Sequence, residues 1–131
     1  MENKEKNNDS LFLDLTDIDT SKITDMSYLF KFVLKDIKKL DLSTWNTSNV
    51  TDMSYMFCDC INLSEVDLSG WNTFKVNNML HMFSYCVSLT ELDLSNFNTP
   101  NLEKMDYMFE DCISLKKIDL RNFDTSNIKS M

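Results

Sequence analysis

The chain has 131 residues, a formal net charge of −8 and 43% hydrophobic residues, values that fit one domain able to bury a sizeable core. The acidic balance disfavours a nucleic-acid partner, because phosphate recognition needs a basic face. No stretch approaches the ~20 apolar residues of a membrane-spanning helix.

Residues 1–10 carry no apolar pattern and are expected to be a disordered N-terminal tail. From Leu13-Asp14-Leu15 a divergent motif passes through Ile18, Ile23, Met26, Leu29 and Phe30. Apolar residues at 29, 30, 33, 34 and 37 then predict an amphipathic helix over 29–39. Residues 11–39 read as an N-terminal capping repeat, since terminal repeats of stacked arrays are atypical.

Residues 40–131 repeat at a fixed step. Asp41, Asp67, Asp93 and Asp119 lie 26 residues apart, as do Met53, Met79, Met105 and Met131, and Cys60, Cys86 and Cys112. A period in this range marks a stacked-repeat solenoid. Each unit opens on an alternating segment, such as Leu40 to Ser43 or Val66 to Ser69, the pattern of a half-buried strand. Stacking would form a parallel sheet with one strand per repeat and the Asp row outward. The second half places Met53, Met56, Phe57, Cys60 and Ile61 at three- and four-residue spacing, which predicts a short helical segment with Asp52 and Asn78 as N-caps. Asn-Thr pairs between the halves read as turns. The expected fold is therefore an α/β repeat solenoid, a short leucine-rich-repeat coil with one parallel strand and a short helical segment per repeat. Its last repeat is incomplete. The chain stops at Met131, a recurring core position, so it is expected to be a fragment or to have this end covered by a partner or another copy.

The unit Leu40-Asp41-Leu42-Ser43-Thr44-Trp45-Asn46-Thr47-Ser48-Asn49-Val50, followed by Met53, Met56-Phe57, Cys60 and Leu63, resembles that of the BspA-like leucine-rich-repeat surface proteins. Their unit reads approximately L-D-L-S-x-F-D-T-S-N-V-x-x-M-x-x-M-F-x-x-C-x-x-L. The resemblance covers 40–131 well and 13–30 loosely. It implies a curved leucine-rich-repeat solenoid and a surface protein acting in adhesion and host contact. The N-terminus has no apolar run of the signal-peptide kind. The location is thus expected to be the cell surface or secreted by resemblance, with the cytoplasm as the alternative.

The candidate binding face is the strand face: Asp41, Ser43, Glu65, Asp67, Ser69, Glu91, Asp93, Ser95, Asp119 and Arg121. Aligned carboxylates on neighbouring strands repel and raise one another's pKa, so Ser43, Ser69 and Ser95, backbone N–H groups, water or a cation should offset them. One reading is an acidic stripe for a basic partner or Ca²⁺; the favoured one is a structural Asp bonded within its own turn. Calcium needs six to eight oxygens around one point, which a flat row rarely supplies. Cys60, Cys86 and Cys112 should form a buried column of thiols, with Cys58 more exposed and open to an intermolecular disulfide. His81 falls in the slot of Tyr28, Tyr55 and Tyr107. Trp45, Trp71, Phe97 and Phe123, with Ile18, form another row, read as core.

No nucleophile–base pair or phosphate loop emerges. The expectation is a non-enzymatic protein-interaction module with no catalytic residues, metal or cofactor, binding a protein partner, a host protein being one possibility. The alternative is an assembly segment of a larger repeat protein that self-associates end to end.

Overall fold

The computed structural model describes residues 13–33 and 35–130. The predicted tail at 1–10, Leu34 and Met131 lie outside them. Most of the described chain is irregular, punctuated by four short strands: β1 (Lys39–Asp41), β2 (Glu65–Asp67), β3 (Glu91–Leu92) and β4 (Lys117–Ile118). These fall where the sequence alternates, because one face meets the core and the other meets water. β1 pairs with β2 in parallel, Leu40 opposite Val66 and Asp41 opposite Asp67. β3 pairs likewise with β4, Glu91 opposite Lys117. The predicted continuous sheet is therefore two separate parallel pairs.

Among the described residues there is no helix, which corrects the expected helical segments. A helix would satisfy its N–H groups within itself. Here they alternate between two destinations. Met53, Tyr55, Phe57 and Asp59 donate to Asn78, Leu80, Met82 and Ser84 of the next copy at 2.8–2.9 Å. Met56, Cys58 and Cys60 between them close local turns onto Met53, Tyr55 and Phe57. The three- and four-residue apolar spacing thus comes from tight turns tied to a neighbouring copy. Tyr55 (φ 57°) and Asp59 (φ 63°) take the left-handed conformation, as do their counterparts Tyr28, Phe32, His81, Tyr85, Tyr107 and Asp111. Left-handed backbone costs roughly 1–2 kcal/mol at a non-glycine residue, and a helix would contain none. Asp52 and Asn78 are consequently not helix caps. Asp52 Oδ1 accepts from the Ser54 N–H at 2.8 Å, and Asn78 Oδ1 from that of Leu80 at 3.1 Å.

The predicted 29–39 helix is also absent. Residues 29–33 form turns, and Leu29 and Val33 are exposed at 42% and 67% while Phe30 and Ile37 are buried. The core is a column of the remaining repeated apolar positions, including Leu42, Val50, Met53, Met56, Phe57 and Leu63 with their counterparts Leu68, Val76, Met79, Met82, Phe83 and Leu89. Flat rings stack along it: Phe57 on Phe83 at 5.2 Å between centroids, Phe83 on Phe109 at 5.9 Å and Trp71 on Phe97 at 6.4 Å. Three core expectations fail. Ile61 and Ile113 share one slot and are exposed, and Ile18 is exposed at the head of the Trp-Phe row.

The Asn-Thr pairs form turns as expected, Asn46 Oδ1 accepting from the Ser48 N–H and Asn72 Oδ1 from that of Phe74, both at 3.0 Å, and the Thr of each pair is buried. Thr47 Oγ1 donates to Asn72 O at 3.0 Å and accepts from Asn72 N at 2.8 Å. Thr73 does the same with Asn98, both contacts at 3.0 Å. A hydroxyl can give and take one bond each, so a single buried side chain satisfies two backbone groups of the next copy.

Candidate binding face

All ten predicted face residues lie on the strand side. Asp41, Glu65, Asp67, Ser69, Glu91, Asp93, Ser95 and Arg121 are exposed; Ser43 and Asp119 are half-buried. The parallel register sets like against like at Asp41 and Asp67. Each Asp answers that repulsion locally, turning Oδ1 back to the backbone N–H two residues on. The contacts run Asp41 to Ser43, Asp67 to Ser69 and Asp93 to Ser95 at 2.9 Å, and Asp119 to Arg121 at 3.0 Å. Asp14 follows the same rule with Thr16. These are Asx turns, in which the carboxylate fixes the bend after the strand.

The turns supply the expected offset. Neighbouring carboxylates do raise one another, as expected, and the Ser43 hydroxyl and N–H more than offset this, holding Asp41 below its usual range, as Ser95 does for Asp93. Repulsion from Asp14 and Asp119 respectively is the smaller influence. Hydrogen bonds to the charged form outweigh like charges in water. Asp119 falls to about 2, chiefly through the Arg121 side chain, whose Nη2 lies 2.6 Å from Oδ2.

The flanking charges alternate. Lys39 Nζ meets Glu65 at 2.7 Å, and Lys117 stands opposite Glu91. The net acidic stripe is therefore narrow: the Asp column itself. Among the described residues, Oδ2 of Asp41, Asp67 and Asp93 accepts no hydrogen bond, so one oxygen of each faces outward. Shallow depressions line the column, one of about 310 Å³ around Glu65, Asp67, Ser69 and Asp93. Among the described residues no three His, Cys, Asp or Glu side chains converge as a metal site.

A family model described as "Mycoplasma protein of unknown function, DUF285" matches residues 1–92 and 91–131. The chain belongs to this family. No curated protein and no solved structure matches it. The two DUF285 matches meet at Glu91 and Leu92, inside β3, so both respect the repeat boundary.

The turn half of this DUF285 chain carries a surface that the sequence pointed to only as a shared slot. Tyr28, Tyr55, His81 and Tyr107 stack in one column with centroids 4.7, 4.7 and 4.9 Å apart. Tyr28 and Tyr107 remain more than half exposed. The left-handed backbone at each slot turns the ring out of the core. Polar spacing alone does not reveal that conformation, although the recurrence of Asp at 59 and 111 is a trace of it, since Asp tolerates φ above zero.

The cysteine column is present, and its thiols are free. Cys60, Cys86 and Cys112 donate S–H to Phe30 O, Phe57 O and Phe83 O of the preceding copy at 3.4, 3.2 and 3.1 Å. Burial raises Cys60 to about 12 and pushes Cys86 and Cys112 up as well. Cys58 corrects the expectation of an exposed, oxidisable thiol. It is 3% exposed, bonded to Asp59 and raised to about 11, mainly by burial. Thiolates are the reactive form, so these residues act as small core side chains.

Proposed function

We propose that the chain is a non-enzymatic protein-interaction module that binds a basic partner through its strand face. The finer architecture we assign is a leucine-rich-repeat solenoid of the BspA-like kind, adhesin-like and surface-located. The shared Leu-Asp-Leu-Ser opening and the copy-to-copy hydrogen bonds support that assignment.

One observation carries the binding reading. Asp41, Asp67 and Asp93 are each already oriented by their own turn, with Oδ1 held and Oδ2 free, so a partner's cation meets carboxylates that need no reordering. Preorganised charges give up little side-chain entropy on binding. The neighbouring Lys39 and Lys117 set where along the stripe a partner's charges must sit, which lends register and specificity more than affinity.

The test is titration of a deca-lysine peptide into the ¹⁵N-labelled chain at low salt, with Asp67→Lys/Asp93→Lys as the variant. The expected result is amide shifts along Ser69 and Ser95 that the double variant abolishes while it still unfolds cooperatively, at a somewhat lower midpoint because two Asx turns are lost. Undiminished binding by the folded variant would remove the strand face as the site.

A further inference from the structure

We propose that His81, Tyr85 and Tyr107, with Asp59, Glu110 and Asp111 around them, form a second docking site that receives the ammonium of a lysine side chain on a partner protein. This goes beyond the strand-face reading, because it lies in the turn half of the repeat and uses none of that face's residues.

The chain contains a filled version of the same site. In the first copy Lys31 places Nζ 4.8 Å from the Phe32 ring centroid, 5.0 Å from that of Tyr55 and 5.5 Å from that of Tyr28. Distances under about 6 Å are those at which a ring attracts a cation. Moving two copies along the chain carries Tyr28, Phe32 and Tyr55 onto His81, Tyr85 and Tyr107. The backbone is conserved in the move: φ is 61° at Tyr28 and 53° at His81, 63° at Phe32 and 61° at Tyr85. So is the stack, at 4.7 Å in the first trio and 4.9 Å in the second.

What differs is the cation. Lys31 maps onto Ser84, which is fully buried and donates to Tyr107 O at 2.5 Å. Among the described residues no lysine or arginine lies over the second trio. Tyr85 is 39% exposed and Tyr107 61%. The charge around them is negative. Glu110 above all, with burial and then Asp111 and Asp59, raises the Tyr85 phenol, and the His81 ring lies beside Glu110 with Nδ1 3.5 Å from Oε2. Exposed rings in a negative surrounding suit a compact ammonium, which presents three donors and a full charge. A neutral apolar side chain would leave the carboxylates unpaired.

The experiment titrates the ¹⁵N-labelled full chain with a short end-blocked peptide holding one lysine among glycines. Matched peptides carry norleucine or acetyl-lysine instead. Saturating shifts at Tyr85, Tyr107 and Glu110 are expected from the lysine peptide only. Tyr85→Asn keeps a residue that accepts positive φ and should weaken binding roughly fivefold or more by removing the ring. Glu110→Gln/Asp111→Asn should weaken it at least as much. Asp67→Lys/Asp93→Lys should leave these shifts unchanged, which separates this site from the strand face. Equal shifts from the norleucine peptide, wild-type affinity in Tyr85→Asn, or no response of these residues at millimolar peptide would each overturn the proposal.

Discussion

The strand half and the turn half of each copy reach the same stacking distance by different means. In the strand half, two or three residues pair in parallel and an outward Asp bends the chain afterwards. In the turn half, alternate N–H groups run to the next copy while the others close local turns. The strand half therefore displays charge over aliphatic side chains, with Leu40, Leu42, Leu68, Leu92 and Leu94 buried and Val66 only half-buried. The turn half buries the largest rings, with Phe57 and Phe83 fully enclosed and stacked. The contrast teaches that large buried rings and displayed charge are unevenly distributed around one copy.

Truncation should expose that division most strongly. Phe83→Ala removes a ring that stacks on both Phe57 and Phe109, and should cost about 3–5 kcal/mol in guanidinium unfolding. Val66→Ala, in β2, should cost about 1 kcal/mol, near the average for point changes. Equal losses would erase the distinction. The buried threonines sit between the halves and come next. Thr73→Val keeps the shape but leaves both backbone groups of Asn98 without their partner, at about 1–3 kcal/mol. Thr73→Ser should recover most of that loss, because it restores the hydroxyl.

The sequence made one half readable and disguised the other. Period-two alternation located all four strands, since a strand with one wet face cannot show any other pattern. The Asp of each unit was legible as a turn former. The Met-Met-Phe-Cys spacing was not legible as turns, because turns closing onto the third preceding residue give the same apolar interval as a helix. What distinguishes them is the destination of the backbone N–H groups, and side-chain pattern carries no record of that. The exposure of Ile61 and Ile113 and the burial of Cys58 follow from the same mistake: a helix face and a left-handed turn point neighbouring side chains in different directions. On the face itself, register placed Asp41 against Asp67 as expected, but the sign of the carboxyl shifts depended on local hydrogen bonds that spacing could not rank.

Asp111 offers a sharper test of the turn half, because it is exposed and in the left-handed region at φ 52°. Asp111→Ile places a β-branched side chain where that backbone resists it, and should destabilise by about 1–2 kcal/mol. Asp111→Asn should stay within about 0.5 kcal/mol in the same unfolding assay. In a helix an exposed Asp→Ile change would be close to neutral, so a neutral result would restore the helical reading.

The smallest effect divides the halves by pH. On the acid side, Asp41, Asp93 and Asp119 have folded carboxyls held below their ordinary 3.8, Asp119 at about 2. As pH falls, the unfolded chain takes up protons first. The contribution is thus present above about 4 and is lost as pH falls through the folded values. On the alkaline side the sign reverses. Cys58 and Cys60 ionise in the folded chain at about 11 and about 12, against an ordinary 9.0. Above that ordinary value the unfolded chain releases protons first, so stability is full below it and declines toward the folded values. Urea midpoints across this range should accordingly fall at both ends. Asp41→Asn/Asp93→Asn should flatten the acid slope alone, and Cys60→Ala the alkaline slope alone. The readout is the slope, so a uniform loss from the cavity left by Cys60→Ala does not interfere. An acid slope that survives this change would be assigned to Asp119 if adding Asp119→Asn removes it, and otherwise to carboxyls such as Asp14, Asp19, Asp25 or Asp124, whose folded values are lowered in turns of the same design.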